Sequence, residues 1–214
     1  YTAKKKKIEE KIKKLCAEIS EIRKKTADKA EIKIVSILRD LSMENAEFKI
    51  NISEKEGFDE KGSDNVEFLI SANRGEKLKP LSKIASGGEM SRVMLALKNV
   101  LADVDNIDTF VFDEIDTGIS GRTAQKVAEK MIAVAKNHQI LCITHLPQIA
   151  AMADNNYLIE KSSNDNTTNT NIVELSGEKV YNEIARLIGG AEITKATLEA
   201  AREMKIMAEK LKEI

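Results

Sequence analysis

Thr109-Phe110-Val111-Phe112-Asp113-Glu114 and Ile140-Leu141-Cys142-Ile143-Thr144-His145 are the two stretches that decide the fold. Each is a short apolar run that ends in groups able to bind a cation or move a proton. Between them, apolar residues over 121–136 recur at helical spacing. A strand, a helix and a second strand within about 35 residues predict a βαβ unit with parallel strands. Residues that follow both strands would then lie at one edge of the sheet, where open α/β sheets bind ligands.

The polar residues expected at this edge point to phosphate chemistry. Asp113 is suited to hold Mg²⁺ near phosphate oxygens, directly or through a water molecule. Glu114 would point the other way along the strand and could take a proton from an attacking water. His145 could contact a terminal phosphate or position that water. The alternatives are two solvated acids that open a loop, and a loop histidine satisfied by the backbone.

Ser86-Gly87-Gly88-Glu89 is a further informative stretch. Ser-x-x-Glu ahead of a helix is a capping box, which would explain Ser86 and Glu89 without any function. It does not explain two glycines in the first helical turn, because glycine destabilises a helix. Bare amides at the positive end of a helix leave room for an anion. We therefore expect this stretch to approach a phosphate as well as to begin a helix that extends to residue 101.

The N-terminal segment carries a narrow apolar seam at heptad spacing, formed by Ile8, Ile12, Leu15, Ile19 and Ile22. The helical pattern continues, with a change of phase, to residue 41. A coiled-coil arm is the favoured interpretation, and a surface helix docked on the domain is the alternative. We expect residues 1–41 to form the arm and residues 42–214 to form a folded domain.

The rest of the chain combines strand and helix patterns. Apolar and polar residues alternate over 46–54 and 66–72, which predicts two antiparallel strands joined by a mobile loop. A second loop is expected over 74–80. Towards the C-terminus the predicted elements are strands at 157–160 and 171–175 around a turn at 162–166, and then helices at about 178–188 and 193–213.

Composition limits the possible settings. An apolar content of 42% is enough for a core, and a net charge of −1 gives no overall basic field towards nucleic acid. Residues 1–33 nevertheless carry 12 Lys and Arg against 6 Asp and Glu, an excess of +6. The two cysteines lack metal or redox spacing, and no apolar run approaches the ~20 residues of a membrane span. A reduced, cytosolic setting is expected, and the first residue, Tyr1, suggests a chain cut from a longer one.

The order of these motifs resembles that of ATP-binding-cassette (ABC) ATPase heads. Residues 81–92 are similar to the signature of the coiled-coil subgroup, to which the structural-maintenance-of-chromosomes (SMC) proteins belong. Residues 112–122 and 142–148 more closely resemble a bacterial DNA-repair branch of that subgroup. The resemblance extends from about residue 66 to the end of the chain and includes residues 184–190. It implies an α/β fold, the C-terminal half of a P-loop-type head with a parallel sheet and flanking helices, preceded by a coiled-coil helix.

The resemblance also implies roles for individual residues. Asp113 would be the Walker B acid that supports Mg²⁺, Glu114 the base for water, and His145 the switch histidine that senses the γ-phosphate. The other implied sites are the ATP of a second head for Ser86, Gly87, Gly88 and Glu89, and the D-loop of the dimer interface for Thr117, Gly118 and Ser120. The sequence departs from the common pattern at Ala85 and Glu89, and at Ser120, where many relatives carry Asp. Any D-loop role that needs a carboxylate is therefore in question unless Asp116 substitutes.

The missing parts are informative as well. No Gly-x-x-x-x-Gly-Lys-Ser/Thr phosphate loop occurs in the chain. The resemblance puts that loop, the Walker A motif, and the glutamine loop in an N-terminal half of the same protein, so residues 1–41 would be the returning arm of a coiled-coil hairpin. The expected partners are that half, a second head bound through ATP, and DNA, with no membrane. The implied location is the cytoplasm, at the nucleoid. The 214 residues alone should bind ATP weakly without turnover.

Two other functions compete with a DNA-repair ATPase. A transporter ATPase subunit would share the motifs, but such subunits normally carry no heptad arm just before the signature. A non-catalytic coiled-coil module would not need Asp113, Glu114 and His145 together at one sheet edge. The basic excess in the arm could contact DNA phosphates, or it could be the solvated face of a coil.

Overall fold

A computed structural model describes residues 2–101, 107–164 and 167–213. The chain divides into two compact units, Tyr1–Asp103 and Val104–Ile214. None of the helices in the described ranges is long and apolar enough to cross a membrane.

The first unit begins with a single long helix, α1 (Thr2–Asp40), which confirms the predicted helical segment. Its C-terminal part is buried through Ile34 and Leu38, whereas the heptad seam nearer the N-terminus remains exposed. The helix ends in a Schellman motif, in which the N–H of Met43 donates to the carbonyl of Leu38 at 2.9 Å. The motif requires a left-handed residue just beyond the helix, and Ser42 supplies it with a φ of 60°.

A β-hairpin follows, made of β1 (Glu47–Asp59) and β2 (Gly62–Ser71). The two strands are antiparallel as expected. The predicted mobile loop between them is wrong, because pairing resumes beyond a register shift between Glu54 and Asp59. The N–H of Lys61 donates to Asp59 Oδ1 at 2.7 Å, so a short turn replaces the loop. A two-residue strand, β3 (Lys79–Pro80), pairs with β2 within the expected second loop.

The first unit closes with a helix that packs against α1. A single 3₁₀ turn at Leu81–Lys83 leads to α2 (Gly87–Leu101), which confirms the helix expected after the glycine pair. Its buried face carries Val93, Leu95 and Ala96, each with no exposed surface.

The second unit is built on the predicted βαβ unit. Strands β4 (Thr109–Phe112) and β5 (Gln139–Cys142) are parallel and in register, and α3 (Gly121–Ala135) connects them. One face of this sheet is covered, since Phe110 and Phe112 are buried. On the other face Val111 is 66% exposed and Leu141 is 49% exposed. The parallel pair confirms the α/β fold class.

The remainder of the second unit consists of a hairpin and three helices. A helix that the sequence did not predict, α4 (Pro147–Met152), begins at a proline, which is favoured in the first helical turn. The hairpin strands, β6 (Asn156–Asn164) and β7 (Thr167–Leu175), are longer than predicted. Residues 162–164 of the expected turn belong to β6, and its last residues, 165–166, lie outside the described ranges. The last helices are α5 (Glu178–Gly189) and α6 (Lys195–Lys212), which pack with α4 around a core of Ala150, Ala151, Ile184, Ala185 and Ala201.

Candidate functional site

Two exposed carboxylates follow β4, as the sequence predicts. The side chain of Asp113 accepts a hydrogen bond from the N–H of Glu114, with 2.9 Å between N and Oδ1. Glu114 has a φ of 57°. This is the left-handed region, which residues other than Gly, Asn and Asp rarely occupy. The chain then turns, because the N–H of Thr117 donates to the carbonyl of Glu114 at 3.0 Å. Strained backbone of this kind often occurs at functional positions.

The end of β5 lies beside the end of β4. The N–H of Ile143 donates to the carbonyl of Phe112 at 3.0 Å, which extends the parallel pairing by one step. Thr144 and His145 follow directly, and the side chain of His145 is 71% exposed. The structure therefore brings His145 to the same sheet edge as the residues that follow Phe112.

Asp116 links the two strand ends. It is only 4% exposed, and its Oδ2 accepts hydrogen bonds from Thr144 Oγ1 at 2.6 Å and from the N–H of His145 at 2.9 Å. His145 Nδ1 lies 3.1 Å from the same oxygen. From the sequence, Asp116 was only a stand-in for a D-loop carboxylate. In the structure its carboxylate instead faces inward, towards Thr144 and His145. The polar residue Thr144 beside His145 is the sequence signal that could have indicated this contact.

The residues expected to form the D-loop are exposed between Asp116 and α3. Thr117, Gly118 and Ser120 all lie on the surface, and Gly118 has a φ of 73°. Ser120 stands at the cap position of α3, where its carbonyl accepts the N–H of Ala124 at 2.8 Å. This segment is accessible to another molecule, and its conformation at residue 118 suits glycine.

The expected signature residues belong to the first unit. Ser86 immediately precedes α2, and its Oγ accepts the N–H of Glu89 at 3.4 Å, which is one of the two bonds of the predicted capping box. Ser86 and Gly87 are exposed, whereas Gly88 is buried. The helix begins at Gly87, so the amides of both glycines lie in its first turn, where the helix dipole favours an anion.

The candidate site at the sheet edge fits a cation that is held only in part by protein. Within the described ranges no three His, Cys, Asp or Glu side chains are grouped so that they could enclose a metal ion. Mg²⁺ commonly takes one or two carboxylates and completes its shell with water and substrate phosphates. An exposed Asp113 suits that arrangement better than it suits a closed structural metal site.

The thiol of Cys142, the last residue of β5, has low reactivity. Burial, followed by the nearby charges of Asp116 and Asp113, raises the pKa of the Cys142 thiol to about 12. The group is therefore protonated at neutral pH and is a poor nucleophile and metal ligand. Cys142 is half-buried at the end of β5.

Comparison with known proteins identifies relatives along most of the chain. No protein-family model matches it. Proteins named DNA repair protein RecN are similar, with 44% identity over 200 residues in Halalkalibacterium halodurans and 43% over 211 residues in Bacillus subtilis. Each match covers 92% of this chain, but only 35% and 37% of the relative. The chain thus spans about a third of the length of these curated relatives.

Solved structures agree on the fold. The Smc head domain with an extended coiled coil from Pyrococcus furiosus matches with a TM-score of 0.51 and 22% identity, covering 81% of this chain and 42% of that one. The Smc head with a coiled coil and joint from Pyrococcus yayanosii gives the same score and identity, covering 76% and 29%. These likenesses support an SMC-type head fold. Over about a third of their length, the chain is similar to the proteins named DNA repair protein RecN.

Proposed function

We propose that this chain supplies the C-terminal half of an ATPase head, in a protein that uses ATP hydrolysis between two heads to repair DNA double-strand breaks. The observation that carries the proposal is the parallel β4–β5 pair, which brings the segment from Asp113 to Asp116 next to His145. The relatives' name, DNA repair protein, supports the biological setting.

The division of labour at the sheet edge follows from chemistry. Mg²⁺, when bound with ATP, would neutralise charge on the phosphates, and Asp113 would hold it directly or through water. Glu114 would accept the proton of the attacking water, and His145 would face the terminal phosphate. All three side chains follow strand ends on one sheet edge, and Asp113, Glu114 and His145 are exposed to a ligand approaching that edge.

The signature residues would act on a second head. Ser86, Gly87, Gly88 and Glu89 begin α2 and offer a hydroxyl and helix-end amides to phosphate oxygens. In a dimer of heads they would bind the γ-phosphate of the ATP that the partner holds. The exposed segment from Thr117 to Ser120 would cross that interface as the D-loop.

The open face of the second unit's sheet suggests where the N-terminal half would bind. Parallel sheets are normally covered on both faces and contain more than two strands. Here Val111, Leu141 and Ile143 are 66%, 49% and 51% exposed on one face of a two-stranded sheet. We propose that strands carrying the Walker A and glutamine loops complete this sheet, since the relatives are about three times longer than this chain.

The exposed seam of α1 suggests a second intramolecular contact. Ile8, Leu15 and Ile22 are 50%, 48% and 64% exposed at heptad positions, which is the surface that a coiled-coil partner covers. We propose that residues 1–41 are the returning arm of a coiled coil and that residues 42–214 belong to the head. A heptad arm disfavours a transporter subunit, and no observation favours a non-catalytic scaffold. A protein with this role in bacteria would work in the cytoplasm, on the nucleoid.

Glu114→Gln in the complete protein is the test. We expect steady-state ATP hydrolysis to fall by about a hundredfold or more, since general bases commonly contribute 10²–10⁴-fold, while ATP-dependent dimerisation in size-exclusion chromatography is retained. Glu160→Gln makes the same chemical change at an exposed position on β6 and should leave both unchanged.

The 214 residues alone should show no steady turnover. Unchanged hydrolysis in Glu114→Gln would refute the base, and turnover by the isolated chain would refute the divided site.

A further inference from the structure

One well-connected polar atom at the candidate site belongs to a residue without a role in the proposed chemistry. Asp116 Oδ2 lies within 3.1 Å of three nitrogen or oxygen atoms, all of them from Thr144 and His145. The Thr144 hydroxyl that donates to it also accepts the N–H of Leu146 at 3.0 Å. One carboxylate oxygen therefore holds Thr144 and His145 directly, and Leu146 through the Thr144 hydroxyl.

The two residues of the Asp116–His145 contact differ in solvent exposure. The Asp116 side chain is 4% exposed, whereas that of His145 is 71% exposed. A buried carboxylate is stable only when polar partners surround it. Here a hydroxyl and a backbone amide donate hydrogen bonds to it, and the imidazole Nδ1 lies 3.1 Å away. The imidazole thus has one nitrogen against the protein interior and the rest of the ring in solvent.

The contact also defines which nitrogen carries the proton. A carboxylate oxygen only accepts hydrogen bonds, so an imidazole nitrogen beside it must be the protonated one. In neutral His145 the proton would then be on Nδ1, which leaves the lone pair on Nε2 pointing away from Asp116. The tautomer of a histidine is set in the same way when it binds a metal or a reacting group.

We propose that Asp116 is a positioning residue for His145. It keeps Nδ1 of the ring against its carboxylate and presents the Nε2 lone pair as an acceptor to the attacking water, and it couples this orientation to the turn after Glu114. The proposal rests on the proposed ATPase function for its consequence, but the orientation and tautomer of the ring are properties of the protein alone. Asp116 touches no reacting atom, so its effect is exerted through His145.

Selective ¹⁵N-histidine labelling of the complete protein tests the tautomer without any reaction. Two-bond ¹⁵N–¹H spectra distinguish Nδ1–H from Nε2–H imidazole, and the His145 signals are those that disappear in His145→Gln. We expect the Nδ1–H form in the unsubstituted protein and a shift towards Nε2–H in Asp116→Asn. An Nε2–H form in the unsubstituted protein would overturn the proposal, and this result stands even if Asp116→Asn does not fold.

Kinetics test the consequence. Asp116→Asn should lower kcat at least about tenfold, with KM for ATP within about twofold, and the double variant Asp116→Asn/His145→Gln should be no slower than His145→Gln alone. Thr144→Val removes a donor to Asp116 without touching the imidazole, and it should keep the Nδ1–H form. Additive losses in the double variant would show that Asp116 acts independently of His145. If His145→Gln and Glu114→Gln both retain full hydrolysis, the proposed function fails while the tautomer result still decides the positioning contact.

Discussion

The N–H of Glu114 donates to Oδ1 of its neighbour Asp113 at 2.9 Å, and this bond forms while Glu114 itself has a φ of 57°. The pair is therefore held by its own tight turn as well as by the strand that precedes it. A left-handed conformation costs a residue with a Cβ about 1–2 kcal/mol. This conformational free energy is therefore stored in the backbone of Glu114, the residue that we propose acts as the base.

Glu114→Gly and Glu114→Ala should separate this strain from the chemistry. Both variants lose the carboxylate, but only alanine keeps a Cβ in the left-handed region. We expect the glycine variant to be more stable than the alanine variant by about 1 kcal/mol, measured by thermal denaturation of the complete protein. Both should lose ATP hydrolysis. Equal stability of the two variants would mean that Glu114 does not hold this backbone conformation in solution.

Ser42 offers an independent test of the same backbone principle, away from the site. It is the left-handed residue of the Schellman motif that ends α1, with a φ of 60°. Ser42→Gly should stabilise the last turn of α1 by up to about 1 kcal/mol, seen as slower hydrogen exchange in peptides around Met43. Ser36→Gly, at an exposed position inside α1, should instead destabilise the helix by up to about 1 kcal/mol. The same sign for both substitutions would contradict the assigned helix end.

The sequence predicted the elements that depend on local periodicity. The long helix, the βαβ unit and both hairpins follow from repeats of 3.5, 3.6 or 2 residues, and the side chains of Asp113, Glu114 and His145 could be assigned to one edge from topology alone. The β1–β2 connection was missed because charged residues and turn formers such as Glu56 and Gly57 are typical of a loop, although an exposed strand tolerates them. The contact of Asp116 with His145 joins residues 29 positions apart, and no periodic pattern encodes such a tertiary contact.

Val111 tests whether the open face of the sheet is covered in the complete protein. It is 66% exposed here, where an aspartate would cost little. If the N-terminal half covers this face when it completes the sheet, Val111→Asp buries an unpaired charge and should destabilise the complete protein by several kcal/mol, or prevent its accumulation as folded protein. Val66→Asp, at a 45% exposed position on β2, is the matched control and should change stability by less than about 0.5 kcal/mol. A mild effect of Val111→Asp would leave the face open and remove the proposed docking surface.

The ion pair between Arg23 and Asp64 should make the stability of the first unit sensitive to acid. Arg23 Nη1 donates to Asp64 Oδ2 at 2.8 Å, and Nη2 donates to the carbonyl of Lys61 at 2.7 Å, so α1 is tied to the turn of the β1–β2 hairpin. The hydrogen bond from Arg23 lowers the pKa of Asp64, against the opposing effect of its burial. Because the folded-state pKa is the lower one, the stabilisation is complete above the unfolded-state pKa of about 3.9 and is lost as the pH falls through the folded-state value.

Asp64→Asn should therefore weaken the hairpin at neutral pH and matter less in acid. At pH 7 we expect a loss of about 1–2 kcal/mol in local stability, since the bond joins charged groups and Arg23 is partly exposed. The measurement is hydrogen exchange of β1 and β2 peptides, with variant and unsubstituted protein compared at the same pH. The difference should begin to shrink below pH 4 and should be lost as the pH falls through the lowered folded-state pKa of Asp64. Asp28→Asn, exposed on α1, should show no such pH-dependent difference. A constant loss at every pH would mean that Asp64 contributes through shape and not through its charge.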